Sequence, residues 1–242
     1  MKLTARFLLT VILATTSFAQ GPWVKKNWRQ WSKDDCKKVL EDSPWAHRWS
    51  RSNNKVIVLA TDRSGSQEGT DLEAIYYVVQ LRSARPIREA VVRQAWIANR
   101  YDKMEPKKQE AMQKEVEGFL NRNYDDVIAV HVSYRSNVRE YNRDLAIFWQ
   151  THWPEGSVPQ QAFLTGPKGQ KVTPIRLISS TVGAQEFELI FPRVVEGEPL
   201  LEPGDKGFAV EFVSPAVGQV DSSRVFVEFK ADKMVLNGKI AY

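Results

Sequence analysis

Two periodicities alternate along this chain, and their sharpest junction lies between Leu72 and Arg100. Apolar residues fill Ala74–Leu81 with a strand's spacing, pass Ser83-Ala84-Arg85-Pro86, and from Ile87 recur every three to four positions. The pattern predicts a strand covered on both faces, with Tyr76 and Val78 on one side and Ile75, Tyr77, Val79 and Leu81 on the other. It then predicts an amphipathic helix with Pro86 near its start and Ile87, Ala90, Val91, Ala95 and Ala98 as the buried stripe. A second helix starts at Pro106, where Met112, Val116, Phe119 and Leu120 stand at i, i+4, i+7 and i+8, and ends over Asn121–Tyr124. Asp126–Tyr134 reads as the next strand. Val138, Tyr141, Leu145 and Phe148 then predict a third helix over Asn137–His152, with a strand over Leu145–Trp149 as the alternative.

Upstream, Ser32 is a helix cap with Asp35 in the capping-box position, which predicts a helix over Lys33–Asp42 burying Cys36, Val39 and Leu40. Ser43-Pro44 ends it and offers the start of another, on which Trp45 and Trp49 would lie one turn apart. Lys55–Asp62 is a continuous apolar run, hence a central strand, and the polar Arg63–Asp71 a loop.

From Pro154 the texture changes to short alternating runs between Pro and Gly residues: Gln161–Thr165, Lys171–Ile178, Gln185–Phe191, Gly207–Val213, Arg224–Lys230 and Met234–Ala241. Triplets such as Phe187/Leu189/Phe191, Phe208/Val210/Phe212 and Val225/Val227/Phe229 put one apolar face on each, the signature of antiparallel strands half-buried in a sandwich. Gly166-Pro167-Lys168-Gly169 and Asn237-Gly238 are hairpin turns, and Pro192–Lys206 an exposed crossover. The expected fold is α+β: N-terminal strands with two or three amphipathic helices over residues 20–153, and an antiparallel β-sandwich-like sheet over 154–242. No flexible linker separates the two parts, so they are expected to pack together.

Composition adds a compartment. Lys2 and Arg6, the apolar run Phe7–Ala14 and the small-x-small site Ser17-Phe18-Ala19 form a secretory signal pattern over residues 1–19, too short to span a membrane. The expectation is export to the periplasm or exterior without a transmembrane segment. The single cysteine, Cys36, closes no internal disulfide. A net charge of +5 falls to +3 once Lys2 and Arg6 leave, and bases interleave with acids, so nucleic acid is not an expected partner.

Candidate chemistry is sparse. Five of the eight tryptophans lie between Trp23 and Trp49, and Trp23, Trp28 and Trp49 are candidates for an aromatic platform holding a glycan; the alternative is that they clamp N-terminal helices onto the body. Arg85 and Arg88, in the most arginine-rich stretch, are candidates for a carboxylate or phosphate clamp, or else pair with neighbours such as Glu89 on a solvated face. Asp62, Glu68 and Asp71 lack the spacing of a calcium loop. His47, His131 and His152 fall in different elements, Cys36 lies on an apolar helix face, and no nucleophile, phosphate-loop or metal-ligand motif occurs. No catalytic residue, metal or cofactor is expected.

Ser43-Pro44-Trp45-Ala46, Ser83-Ala84-Arg85-Pro86-Ile87-Arg88-Glu89-Ala90 and Phe191-Pro192-Arg193, in that order behind a signal segment, resemble a family of uncharacterised secreted bacterial proteins. The resemblance spans most of the mature chain and implies export, with no active site attached. The expected function is a non-catalytic binding or structural protein of the periplasm or cell envelope, its partner an envelope protein or glycan. The alternatives are an exported hydrolase with carboxylates or His131 in a cleft between the two parts, and a glycan-binding module using the N-terminal tryptophans.

Overall fold

The structure, a computed structural model, describes residues 21–53, 72–153, 161–179 and 184–242, and the backbone of 56–57. The expected signal segment, the Arg63–Asp71 loop with its acidic residues and most of the Lys55–Asp62 strand lie outside the described residues.

The described helices are α1 (Pro22–Lys25), α2 (Lys33–Glu41), α3 (Arg85–Ala98), α4 (Pro106–Leu120) and α5 (Arg139–His152). The strands comprise β1 (Ala46–Ser52), β2 (Val56–Ile57), β3 (Ala74–Leu81), β4 (Val127–Ser136), β5 (Ala162–Thr165), β6 (Lys171–Val172), β7 (Arg176–Ser179), β8 (Glu186–Pro192), β9 (Val194–Val195), β10 (Glu198–Pro199), β11 (Gly207–Ser214), β12 (Ser223–Lys230), β13 (Val235–Leu236) and β14 (Lys239–Ile240). Both helices and antiparallel sheets are present, so the fold is the α+β mixture that the two periodicities predict. No described helix is long and apolar enough to cross a membrane.

One sheet runs β2-β1-β3-β4-β8-β7 and a second β12-β11-β5-β6, every described pairing being antiparallel. The strands after residue 154 divide between the sheets: β7 and β8 extend the first through β4, in register from Val127↔Pro192 to Ser133↔Glu186, whereas β5, β6, β11 and β12 form the second. Their apolar faces meet around α5, where the Trp149 ring lies 4.7 Å from Phe187, 5.9 Å from Phe212 and 6.4 Å from Tyr77. Tyr77 is buried with its hydroxyl 2.9 Å from the Ser214 hydroxyl, which ties β3 to β11 and satisfies both polar groups. On the opposite face of the first sheet Gln80 donates to the Leu40 carbonyl at 2.7 Å, placing the α2, α3 and α4 layer there. Helices, first sheet and second sheet thus form three layers.

Several local expectations change. Residues 46–52 are a strand, not a helix after Pro44: β1 pairs with β3 from Ala46↔Gln80 to Ser52↔Ala74. Positions four apart share a face in either conformation, so Trp45 and Trp49 fit both, and the neighbouring strand decided. Along α3 the buried stripe is Ile87, Ala90, Val92 and Trp96, with Ala95 and Ala98 exposed and Val91 half-buried. Trp96 causes that rotation, stacking on Tyr101 at 4.1 Å and lying 5.2 Å from Trp28. Arg93 follows it inward, donating to the Trp31 carbonyl and both Asp102 carboxylate oxygens. The crossover at Pro192–Lys206 folds into the β9–β10 hairpin and buries Leu200 and Leu201.

The helix expected over Asn137–His152 is α5, beginning at Arg139; the Asn137 side-chain oxygen accepts from the Ala74 amide, and the Asn142 side-chain oxygen accepts from the Ser136 amide.

Candidate functional site

The tryptophans proposed as a platform are spread through the core. Trp28 and Trp49 are buried, Trp49 lying 5.8 Å from Tyr77; Trp23 is half-buried and meets Trp45 edge-on at 5.4 Å. Arg85 is exposed and paired with Glu89 at 2.9 Å. Arg88 is buried, donates to the Arg122 carbonyl at 3.3 Å and stacks on the Tyr124 ring at 4.8 Å. The structure does not bring these five residues to one place.

It does bring together parts of the segments Ser43–Ala46, Ser83–Ala90 and Phe191–Arg193. Arg193 donates to the carbonyls of Tyr124 and Tyr242 and lies 4.0 Å over the Tyr242 ring, while Trp45 donates its indole N–H to the Ala241 carbonyl. Arg88, Tyr124, Arg193, residues 241–242 and Trp45 therefore form one continuous network, buried or half-buried throughout. Trp45, Arg88 and Arg193 donate to backbone carbonyls and the Tyr124 and Tyr242 rings meet guanidinium groups, so it fastens segments far apart in sequence.

Reactive-type side chains gather on the helix-covered face of the first sheet. His131 on β4 stands between Gln80 of β3 and Glu188 of β8 in the strand register. Its Nε2 is 3.4 Å from a Glu186 oxygen, and Arg82 Nε is 4.0 Å from Glu188. Burial holds His131 below the usual imidazole range, against the pull of Glu186; the bond from His131 keeps the Glu186 carboxyl low. A neutral imidazole donating to a carboxylate fits both shifts. Among the described residues no hydroxyl or thiol hydrogen-bonds to His131, and the buried Cys36 thiol is pushed up to about 11 by burial. The cluster thus consists, among the described residues, of two pairs of opposite charge type, His131 with Glu186 and Arg82 with Glu188. No described group of three or more His, Cys, Asp or Glu side chains has the geometry to hold a metal ion.

The second sheet differs. Its outer face carries an open groove of about 630 Å³, lined by Thr165, Ala209, Phe226, Glu228, Lys230 and Asp232. Register explains its shape: Ala209 lies between Thr165 and Glu228 in one row, so the smallest of three side chains forms the floor. Gly207 closes one end at φ 136°, where a Cβ would meet the Phe229 carbonyl at 1.9 Å. Phe226 is 44% exposed, and Glu228 and Lys230 make no ion pair or side-chain hydrogen bond among the described residues. One row further, Glu211 is buried between Lys171 at 2.8 Å and Arg224, whose cations lie over Phe163 and Phe226.

The triplet Val225/Val227/Phe229 marks the buried face of β12, and the groove uses the opposite face, on which Arg224, Phe226, Glu228 and Lys230 stand. The available signal was one aromatic residue at a position that alternation assigns to solvent.

No protein-family model and no curated protein matches the chain. Among solved structures, a DUF4785 family protein from Legionella pneumophila is similar over 70% of this chain, at 13% identity and a TM-score of 0.27. The chain spans 34% of that neighbour's length, and a likeness of this degree transfers neither fold nor site.

Proposed function

We propose that this chain is an exported, non-catalytic binding protein of the periplasm or cell envelope, and that it binds through the groove on the second sheet. One observation carries the reading: Glu228 and Lys230, which form no ion pair among the described residues, stand beside an exposed aromatic ring in an open groove, whereas His131 and Arg82 face the carboxylates Glu186 and Glu188. Ligand sites combine apolar surface with a few convergent polar groups in volumes of roughly 300–1,000 Å³, and the groove falls within that range. Export is supported by Lys2, Arg6, the Phe7–Ala14 run and the Ser17-Phe18-Ala19 site. It predicts a mature protein beginning at Gln20, checked by terminal sequencing of material from the envelope fraction.

The binding reading is tested by retention of purified mature protein on washed envelope fractions. Ala209→Arg raises the groove floor and is expected to lower retention at least tenfold, while His131→Asn leaves it unchanged. Equal retention of Ala209→Arg and wild type would move the site elsewhere. A hydrolytic turnover abolished by His131→Asn in a folded protein would replace this reading with the hydrolase.

A further inference from the structure

The groove's chemistry narrows what it can hold. An extended peptide binds most strongly by adding to a strand edge, where backbone N–H and C=O groups are free. This groove lies over the face of the second sheet, on side chains of β5, β11 and β12, and the interior strands β5 and β11 use their backbone groups within the sheet. β12 is the edge strand, so a peptide added along its outer edge would leave the side chains of the face uncovered. A nucleic acid or other polyphosphate needs surplus positive charge. The lining instead holds Asp205, Glu228 and Asp232 against Lys206 and Lys230. A lipid chain needs a dry apolar channel, and here charged side chains alternate with the ring.

The side chains on this face suit a polymer that is polyhydroxylated and uncharged. Its C–H faces can lie on an exposed aromatic ring while its hydroxyls donate to carboxylates and accept from an ammonium group. The side chains match that demand in place: Phe226, still 44% exposed with the Arg224 guanidinium 5.6 Å from its ring centroid, supplies the ring, Glu228 two residues on along the same strand face supplies the acceptor, Lys230 the donor, and Thr165 a group able to do either. We infer that the groove over Ala209 is a saccharide subsite, taking a short stretch of a neutral or N-acetylated glycan chain with Phe226 as its stacking ring and Glu228 and Lys230 as its hydroxyl partners. This inference rests on the binding reading above and specifies its ligand.

The test uses the full mature protein and three probes: soluble chito-oligosaccharides, soluble cello-oligosaccharides and isolated cell-wall sacculi. Binding is followed by calorimetry for the soluble probes and by co-sedimentation for the sacculi. At least one probe is expected to bind. Phe226→Ala should weaken binding about tenfold and Glu228→Gln several-fold, with melting temperatures close to wild type because both side chains are exposed. Trp23→Ala, away from the groove, should leave binding unchanged and so separates this subsite from a platform at the N-terminal tryptophans.

Failure of all three probes, with Ala209→Arg still lowering retention on envelope fractions, would overturn the saccharide assignment and leave a protein partner at the same groove. Saccharide binding that survives Phe226→Ala and Glu228→Gln would overturn the assignment to this groove. Failure of both experiments would overturn the binding reading itself.

Discussion

A methyl group added at Gly218 would meet the Tyr141 ring at 1.9 Å, and the backbone there has φ 57°. The ring has little freedom to retreat, because its hydroxyl donates to Glu73 at 2.6 Å and accepts from the Gln219 amide at 3.1 Å. Gly218→Ala is therefore expected to destabilise by about 1–3 kcal/mol. For a chain of this size that lowers the melting temperature by roughly 2–4 °C per kcal/mol. Combining it with Tyr141→Ala should recover the steric part, which a double-mutant thermal series will show. Two histidines set a second expectation. Burial depresses His47 to about 4 and lowers His131 from its ordinary value. In both, the unfolded state binds protons more readily than the folded one, so stability is unaffected well above pH 6.5 and is lost as pH falls below it. For His47 the loss continues to about pH 4, at up to about 1.4 kcal/mol per pH unit for each histidine. Denaturant titrations between pH 7.5 and 4.5 should show that slope, flattened by His47→Gln combined with His131→Asn.

At the scale of elements, α2 was the most legible, because its signals are local. The Ser32 hydroxyl accepts from the Asp35 amide at 3.1 Å and the Asp35 carboxylate accepts from the Ser32 amide at 3.0 Å, completing the expected capping box. Ser32→Ala is expected to cost about 1 kcal/mol, measured by chemical denaturation. Strands β3 and β4 and helix α4 were legible for the same reason: their periods are written in their own residues. Segment 46–52 was not, since tryptophans four apart suit a helix and a strand alike, and only the β3 ladder separates them. The face of α3 was misplaced because Trp96 and Arg93 answer to Trp28, Tyr101, Trp31 and Asp102, partners outside the helix. The groove was hidden for a related reason. Phe226, Glu228, Ala209 and Thr165 come from three strands, and their adjacency exists only once the register is set.

Taken whole, the molecule distributes its C-terminal strands over two sheets, and β4 receives a partner from each half of the sequence. If residues 20–153 were produced alone, β4 would lose β8 and offer seven residues of unpaired backbone, Val127–Ser133, to any neighbouring copy. An open row of that length is a template for further strands. Such a fragment should accumulate as oligomers in light scattering and bind a fibril-reporting dye, while a chain of residues 20–242 stays monodisperse. The first sheet is thus completed by a late segment of the chain, and premature termination before β8 would convert the protein into a seed for aggregation.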